Sequence, residues 1–381
     1  MDFFDNLLDD THRALRSECR KFAEREIKPH ADAWEEAGSF PRALYQTAAA
    51  SGMLGIGFPE DVGGSGGTAL HNVCAIEGMM RGGTTGVTVG LGSLGIALPA
   101  FLQWRNAEQV DRFVRPVLAG EKIACLAVTE PNTGSDVAGC ATRAVRDGDV
   151  YVVSGAKMFI TSGTRADVIV TLVRTGPDAH GGLSFLALTS DMPGVRVSRA
   201  LKKTGWWASD TAELAFDAVR VPVSHRIGPE GAGFVTLMKN FVMERLALAA
   251  YGVATAEIAL EEAQRYARER HAFGRPIAGF QVTRHKLADM ATQILAARTL
   301  TYQVAARHAK GDSVLREVAM AKNFAAELAV SVTYEAVQIF GGMGYMRETL
   351  VERLARDARL LPIGGGTQEI MKEIIAKGMG L

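Results

Sequence analysis

An α+β multidomain chain, with an N-terminal helical part, a β middle and a C-terminal part of long helices, is what these 381 residues predict. Three observations carry the prediction. Apolar residues recur at helical spacing through the first third; short, turn-bounded runs rich in Val, Leu and Phe begin near Ile123; and after Gly233 long apolar stripes continue with few breakers. The domains expected are 1–122, 123–228 and 229–381.

In the first domain Leu15, Cys19, Phe22 and Ile27 fall near one helical face, with a cap expected near Asp10 or Thr11 and a break at Pro29. Ser39 and Pro41 open a second helix that Gly52 ends. FPEDVGGSGG, Phe58 to Gly67, is a loop, and helices resume with HNVCAIEGMM. Gly82 to Trp104 carries no charge and is long enough to span a bilayer, but its glycines, hydroxyl residues and Pro99 argue for a buried helix with small residues along a cavity. In the middle domain DVYVVSG, ADVIVTLV, LSFLALT, VRVSR and AELAFDAVRVP are separated by Asp147-Gly148, Thr175-Gly176-Pro177, Gly181-Gly182 and Pro193-Gly194. Turns at this density predict a compact antiparallel barrel or sandwich. No G-x-G-x-x-G follows a strand and opens a helix, which removes a Rossmann reading. The third domain reads as a helix bundle built from Phe234 to Arg270, Gln281 to Lys310 and Asp312 to Phe340.

Lys plus Arg and Asp plus Glu number 42 each, which argues against nucleic acid or an anionic membrane held by bulk charge. The four cysteines, Cys19, Cys74, Cys125 and Cys140, form no C-x-x-C pair and read as reduced, mostly buried thiols. The eight histidines show no ligand spacing, so no metal is expected. Neither MDFFDNLLDDTH nor KGMGL resembles a targeting signal, and the expected location is cytoplasmic.

The chemistry centres on Leu126 to Asp136, LAVTEPNTGSD, where a polar, turn-rich run follows a strand-like segment. Pro131 and Gly134 break regular structure, and Thr129, Thr133 and Ser135 offer hydroxyls and free N–H groups to a ring or a phosphate. A second run, QIFGGMGYMRETLVERLARD from Gln338 to Asp357, ends one helical pattern and opens another. Both resemble signatures of the acyl-CoA dehydrogenase family, as do KMFITSG, RxxFG at Arg270 to Gly274, FQ followed by KLADM, and GGTQEI at Gly365 to Ile370. The matches keep the family's order and cover nearly the whole chain.

That resemblance implies an α domain, a small β-barrel and a four-helix bundle binding FAD. It implies oxidation of an acyl thioester to the trans-2-enoyl form, with electrons passed to an electron-transfer flavoprotein. Leu126, Ala127, Val128, Thr129, Thr133, Gly134, Ser135, Phe159, Ile160 and Thr161 would cradle the isoalloxazine. Arg270, Phe273, Gln281, Gln338, Gly341 and Gly342 resemble residues that hold a neighbouring subunit's FAD, in a homotetramer built of two dimers, and Thr367, Gln368 and Glu369 close over the cofactor. Ser135, Val242, Arg245, Gly365 and Gly366 would meet the acyl-CoA.

The base departs from the family's commonest pattern. Many relatives carry a Glu immediately before the C-terminal Gly-Thr, where this chain has Gly365; a minority, including long-chain and isovaleryl-CoA dehydrogenases, place it in a context like E-R-L, here Glu244. Pattern alone also singles out Glu244, because Leu237, Phe241, Leu248 and Tyr251 at i−7, i−3, i+4 and i+7 set a carboxylate in an apolar stripe. Burial would raise its pKa toward that of a base near neutral pH, and the competing reading is a salt bridge or a solvated edge, helped by Arg245. Two further alternatives stay open: an acyl group carried on a carrier protein, and a base-less flavin-binding paralogue suggested by Gly365. Gly364 to Gly366, with Gly90, Gly92 and Gly95, predict space beside the reacting carbons and a preference for medium to long or branched acyl chains.

Overall fold

Helix α1 (Asp10–Phe22) is capped by Asp9, whose carboxylate accepts from the N–H groups of Thr11 and His12 at 2.9 and 3.1 Å. The cap thus lies ahead of the expected pair. Described here by a computed structural model over Phe3, Phe4 and residues 6–381, the chain then absorbs the five-residue spacing from Phe22 to Ile27 in a wide turn, Ala23–Ile27, that keeps both side chains buried. Pro29 sits in a tight turn leading into α2 (Ala31–Ala37), and Gly38 closes that helix in the left-handed conformation. Next come α3 (Ala43–Ala50) and α4 (Ala69–Met79).

From Thr85 to Trp104 three short helices run in succession, α5 (Thr85–Gly92), α6 (Leu94–Ala97) and α7 (Pro99–Trp104). The segment is long and apolar enough to cross a membrane, with a hydropathy of 1.6, yet Leu94, Ala97, Leu98 and Phe101 are buried in the protein's own core. Contrary to the expectation from sequence, Gly90 opens no channel; its missing side chain admits the Phe40 ring, which a Cβ there would meet at 2.6 Å. The short helices α8 (Ala107–Gln109) and α9 (Arg115–Leu118) finish the domain.

The middle of the chain forms an 8-stranded sheet. Its strands are β1 (Ala124–Ala127), β2 (Arg143–Asp147), β3 (Val150–Thr161), β4 (Val168–Arg174), β5 (Leu183–Thr189), β6 (Val195–Ala200), β7 (Thr211–Pro222) and β8 (Arg226–Ile227). The order is β6-β7-β3-β2-β4-β5-β8, with β1 beside β4. Most neighbours are antiparallel, but β1 and β2 each meet β4 in parallel, which corrects a purely antiparallel expectation. The cause is connectivity: β3 reverses the chain and β4 restores the direction of β1 and β2.

Helix α10 (Gly233–Glu269) is the longest element, 37 residues or ~55 Å. A two-stranded hairpin, β9 (His271–Ala272) and β10 (Arg275–Pro276), leads to α11 (Gln281–Ala309), α12 (Leu315–Phe340), α13 (Leu350–Ala358) and α14 (Gln368–Gly378). Helix α10 packs on α11, α12, α13 and, from the N-terminal domain, α4. Gly252 allows the close crossing of α10 and α12, since a Cβ there would lie 2.6 Å from the Ala325 carbonyl oxygen. One face of α10 is therefore locked into the bundle, and its N-terminal half is left facing the sheet and α5 to α7.

Candidate active site

Where the three domains meet lies a cavity of about 1270 Å³. Its β wall begins with the loop after β1. Lys157 sits on the inward parity of β3 with Tyr151 and Val153, and all three are buried. The Lys157 ammonium donates to the Glu130 carboxylate at 2.8 Å and to the Val128 carbonyl at 2.9 Å. Glu130 also accepts from the N–H groups of Ala141 and Thr142, at 2.7 and 2.9 Å. Burial opposes the Glu130 charge, but Lys157 and these donors outweigh it and hold the carboxyl down at about 2. With Met158 N–H donating to the Thr129 carbonyl at 2.8 Å, the loop is fixed from both sides. Leu126, Val128, Thr129, Gly134 and Ser135 then line the cavity.

A break in the β3–β7 register between Lys157 and Ile160 turns the next residues outward. Phe159 there has φ +61°, unusual for an aromatic, and 62% of its surface is exposed, facing the cavity with Ile160 and Thr161. Strain of this kind costs on the order of 1–3 kcal/mol and is held in place by the surrounding structure.

Helix α10 supplies the opposite wall. Phe241, Glu244, Leu248 and Tyr251 all line the cavity, while Leu237 is buried at the stripe's end. Burial raises the Glu244 carboxyl to about 7, against the opposing pull of Arg245 and Lys322. Among the described residues Glu244 takes part in no hydrogen bond or ion pair. Arg245 is turned away: its guanidinium donates to the Gly365 carbonyl at 3.2 Å and stands 5.1 Å from the Phe241 ring centre. The competing salt-bridge reading is thereby set aside.

The glycine segment closes the site over Glu244. Gly365 and Gly366 have φ +64° and +101°, and the buried Lys322 donates to the Gly366 carbonyl at 2.7 Å. Among the described residues the Gly365 and Gly366 N–H groups find no acceptor. A Cβ on Gly365 would stand 3.5 Å from Glu244 Oε1 and 2.4 Å from Leu248 Cδ1. Residue 365 is thus next to the carboxylate, and Leu248 fills the space that the missing side chain was expected to leave.

Of the remaining expected residues, all but Thr367 lie apart from the cavity. Ala127 is buried in β1, Thr133 is tied into the loop through Glu130, and Val242 packs on the helical core, which corrects its expected place in the substrate wall. Thr367 lines the cavity and caps α14, whereas Gln368 donates to Glu327 at 2.7 Å and Glu369 is exposed. Arg270, Phe273, Gln281, Gln338, Gly341 and Gly342 are all exposed on the bundle, and Phe273 is 95% exposed at the tip of the β9–β10 turn. Sequence reasoning missed Glu130, Lys157 and Lys322 as supports of the site; a lysine on the inward side of a strand was the available signal. It also missed Lys202 and Arg359 on the cavity's exposed rim. The four cysteines are each buried, and no cluster of metal-ligating side chains occurs among the described residues.

The family model for the acyl-CoA dehydrogenase N-terminal domain matches residues 9–121, that for the middle domain 125–219 and that for the C-terminal domain 231–380. An acyl-CoA dehydrogenase of Bacillus subtilis is 38% identical, covering 95% of this chain and 96% of that protein. The crystal structure of a probable acyl-CoA dehydrogenase from Mycobacterium abscessus superposes with a TM-score of 0.97 at 52% identity, covering 98% of this chain and 100% of that one. A glutaryl-CoA dehydrogenase from Mycobacterium smegmatis, solved in complex with FADH2, superposes with a TM-score of 0.93 at 26% identity, covering 99% and 96% of the two chains.

Proposed function

The chain belongs to the acyl-CoA dehydrogenase family of oxidoreductases, and from that premise we propose that it dehydrogenates an acyl-CoA thioester of medium to long or branched chain, using FAD and Glu244. The observation that carries the proposal is a half-buried carboxylate whose desolvation raises it to about pKa 7, without a partner, on the wall of the cavity that the strained Phe159 also lines. The same placement speaks against a base-less flavin-binding role.

The residues present fit the cofactor. An outward aromatic at Phe159, the hydroxyls of Thr129, Thr161 and Ser135, and a rim carrying Lys202 and Arg359 suit a flat ring with a phosphate-bearing tail. Bound there, the flavin supplies the acceptor for the substrate's β hydrogen. Glu244 takes the α proton at a carboxylate oxygen, and its raised pKa matches a base working near neutral pH. The unpaired N–H groups of Gly365 and Gly366 polarise the thioester carbonyl and stabilise enolate charge. Phe241, Leu248 and Met243 keep water from the α carbon. Electrons leave to an electron-transfer flavoprotein, and the exposed Arg270, Phe273, Gln281 and Gln338 to Gly342 serve a neighbour's site in a homotetramer.

The test is to purify the protein, measure flavin per chain, and add a panel of acyl-CoAs without oxygen. A yellow protein bleached by members of the panel is expected. A protein that binds no flavin, or whose flavin no acyl-CoA bleaches, sinks the proposal.

A further inference from the structure

Tyr251 lies two helical turns beyond Glu244 on the same stripe of α10, and its side chain lines the cavity. It is 8% exposed, and among the described residues its hydroxyl makes no hydrogen bond. Nor is the oxygen sealed in packing, since it is absent from the fully enclosed polar atoms without a partner. Opposite stands Gly92 of α5: a Cβ there would meet the Tyr251 oxygen at 3.2 Å. The phenol oxygen thus faces the notch the glycine leaves, in a cavity whose lining also carries the apolar Val89, Ile96 and Ala247.

A hydroxyl that opens onto a cavity without a protein partner is satisfied by solvent when no ligand is there. A hydrocarbon chain passing it must strip that water and returns nothing, whereas a chain with an oxygen at that depth restores the bond. Resting on the dehydrogenase reading, we infer that Tyr251 is a specificity-determining residue selecting acyl thioesters that carry a hydrogen-bond-accepting oxygen, such as a ketone, beyond the reacting carbons. Two turns of helix put this subsite roughly 10 Å along the axis from the base, less the backward lean of the side chain.

The experiment compares kcat/KM of the flavin-loaded protein for octanoyl-CoA and for its 5-, 6- and 7-oxo derivatives, in wild type and Tyr251→Phe. At least one keto thioester is expected to exceed octanoyl-CoA by about tenfold in the wild type. In Tyr251→Phe that advantage is expected to shrink to about twofold or less, with octanoyl-CoA improved, because no hydroxyl remains to be desolvated. Gly92→Ala, whose Cβ crowds the phenol oxygen, should lower the preference in the same direction and gives an independent variant. A wild type that prefers octanoyl-CoA to all three ketones, or a keto preference that survives both variants, overturns the inference and leaves the dehydrogenase reading standing. If none of the four thioesters bleaches the flavin, the dehydrogenase reading fails for these chains and the subsite fails with it.

Discussion

Replacing Glu244 with Gln keeps the shape of the side chain and removes its proton-accepting oxygen, so catalysis and stability should move in opposite directions. Loss of a general base costs roughly 10²-fold or more in turnover, with flavin retained because Glu244 stands opposite the loop proposed to hold it. The stability effect follows from burial. A carboxyl whose pKa rises from 4.5 to about 7 on folding holds a proton that the unfolded chain has lost, so between those values the native state is progressively penalised as pH rises. The full penalty is roughly 3 kcal/mol at pH 8 and is absent well below pH 4.5. Glutamine carries none of it. Urea unfolding of the flavin-loaded proteins should therefore show Glu244→Gln more stable at pH 8, with the gap closing by about 2–3 kcal/mol on going to pH 5. Near-normal turnover in the variant refutes the base assignment, and a stability difference that stays constant from pH 5 to pH 8 refutes the desolvated carboxylate.

Moving the base to residue 365 is a stricter geometric test. Glu244→Thr with Gly365→Glu should recover little activity alone, because the new Cβ meets Leu248 Cδ1 at 2.4 Å on a backbone with φ +64°, and should recover more once Leu248→Ala is added; equal rates with and without Leu248→Ala would contradict the geometry. Lys157→Met leaves the Glu130 carboxylate buried and unpaired, so thermal or urea unfolding should register a loss of about 3–5 kcal/mol, together with weaker flavin retention; a loss under 1 kcal/mol would show that the pair does not fix the loop. Phe273→Asp places a charge at a fully exposed aromatic tip, and light scattering with flavin titration should find a smaller assembly that sheds cofactor, whereas unchanged mass and flavin content would remove Phe273 from any shared site.

Much of the fold was written in periodicity. The long helices from Gly233 onward and the Val-rich strands carry their burial in their spacing, and both recur where expected. What spacing does not encode is connectivity and compensation. The parallel pairing of β1 with β4 depends on where the β2–β3 hairpin docks, and the two-residue strand β8 has no pattern to read. At the site, Glu244 was legible because a carboxylate interrupts an apolar stripe. Its freedom from Arg245 was not, because that depends on a carbonyl at Gly365 more than a hundred residues away. Glycines were the least legible. Absence of a side chain reads as space, but Gly90 accommodates Phe40, Leu248 fills the site beside Gly365, and only the fold shows that Gly92 faces Tyr251.

The most direct test of Glu244 as the base is the pH dependence of the second-order rate at which octanoyl-CoA bleaches the bound flavin, followed anaerobically from pH 5.5 to pH 9, since at low substrate this rate reports the free protein's ionisations. It should fall about tenfold per pH unit well below 7 and level off above it, with Glu244→Gln reduced to a low rate that no longer varies with pH. A wild-type rate that is level across the whole range, or one whose inflection near 7 persists in Glu244→Gln, would mean that another group takes the α proton.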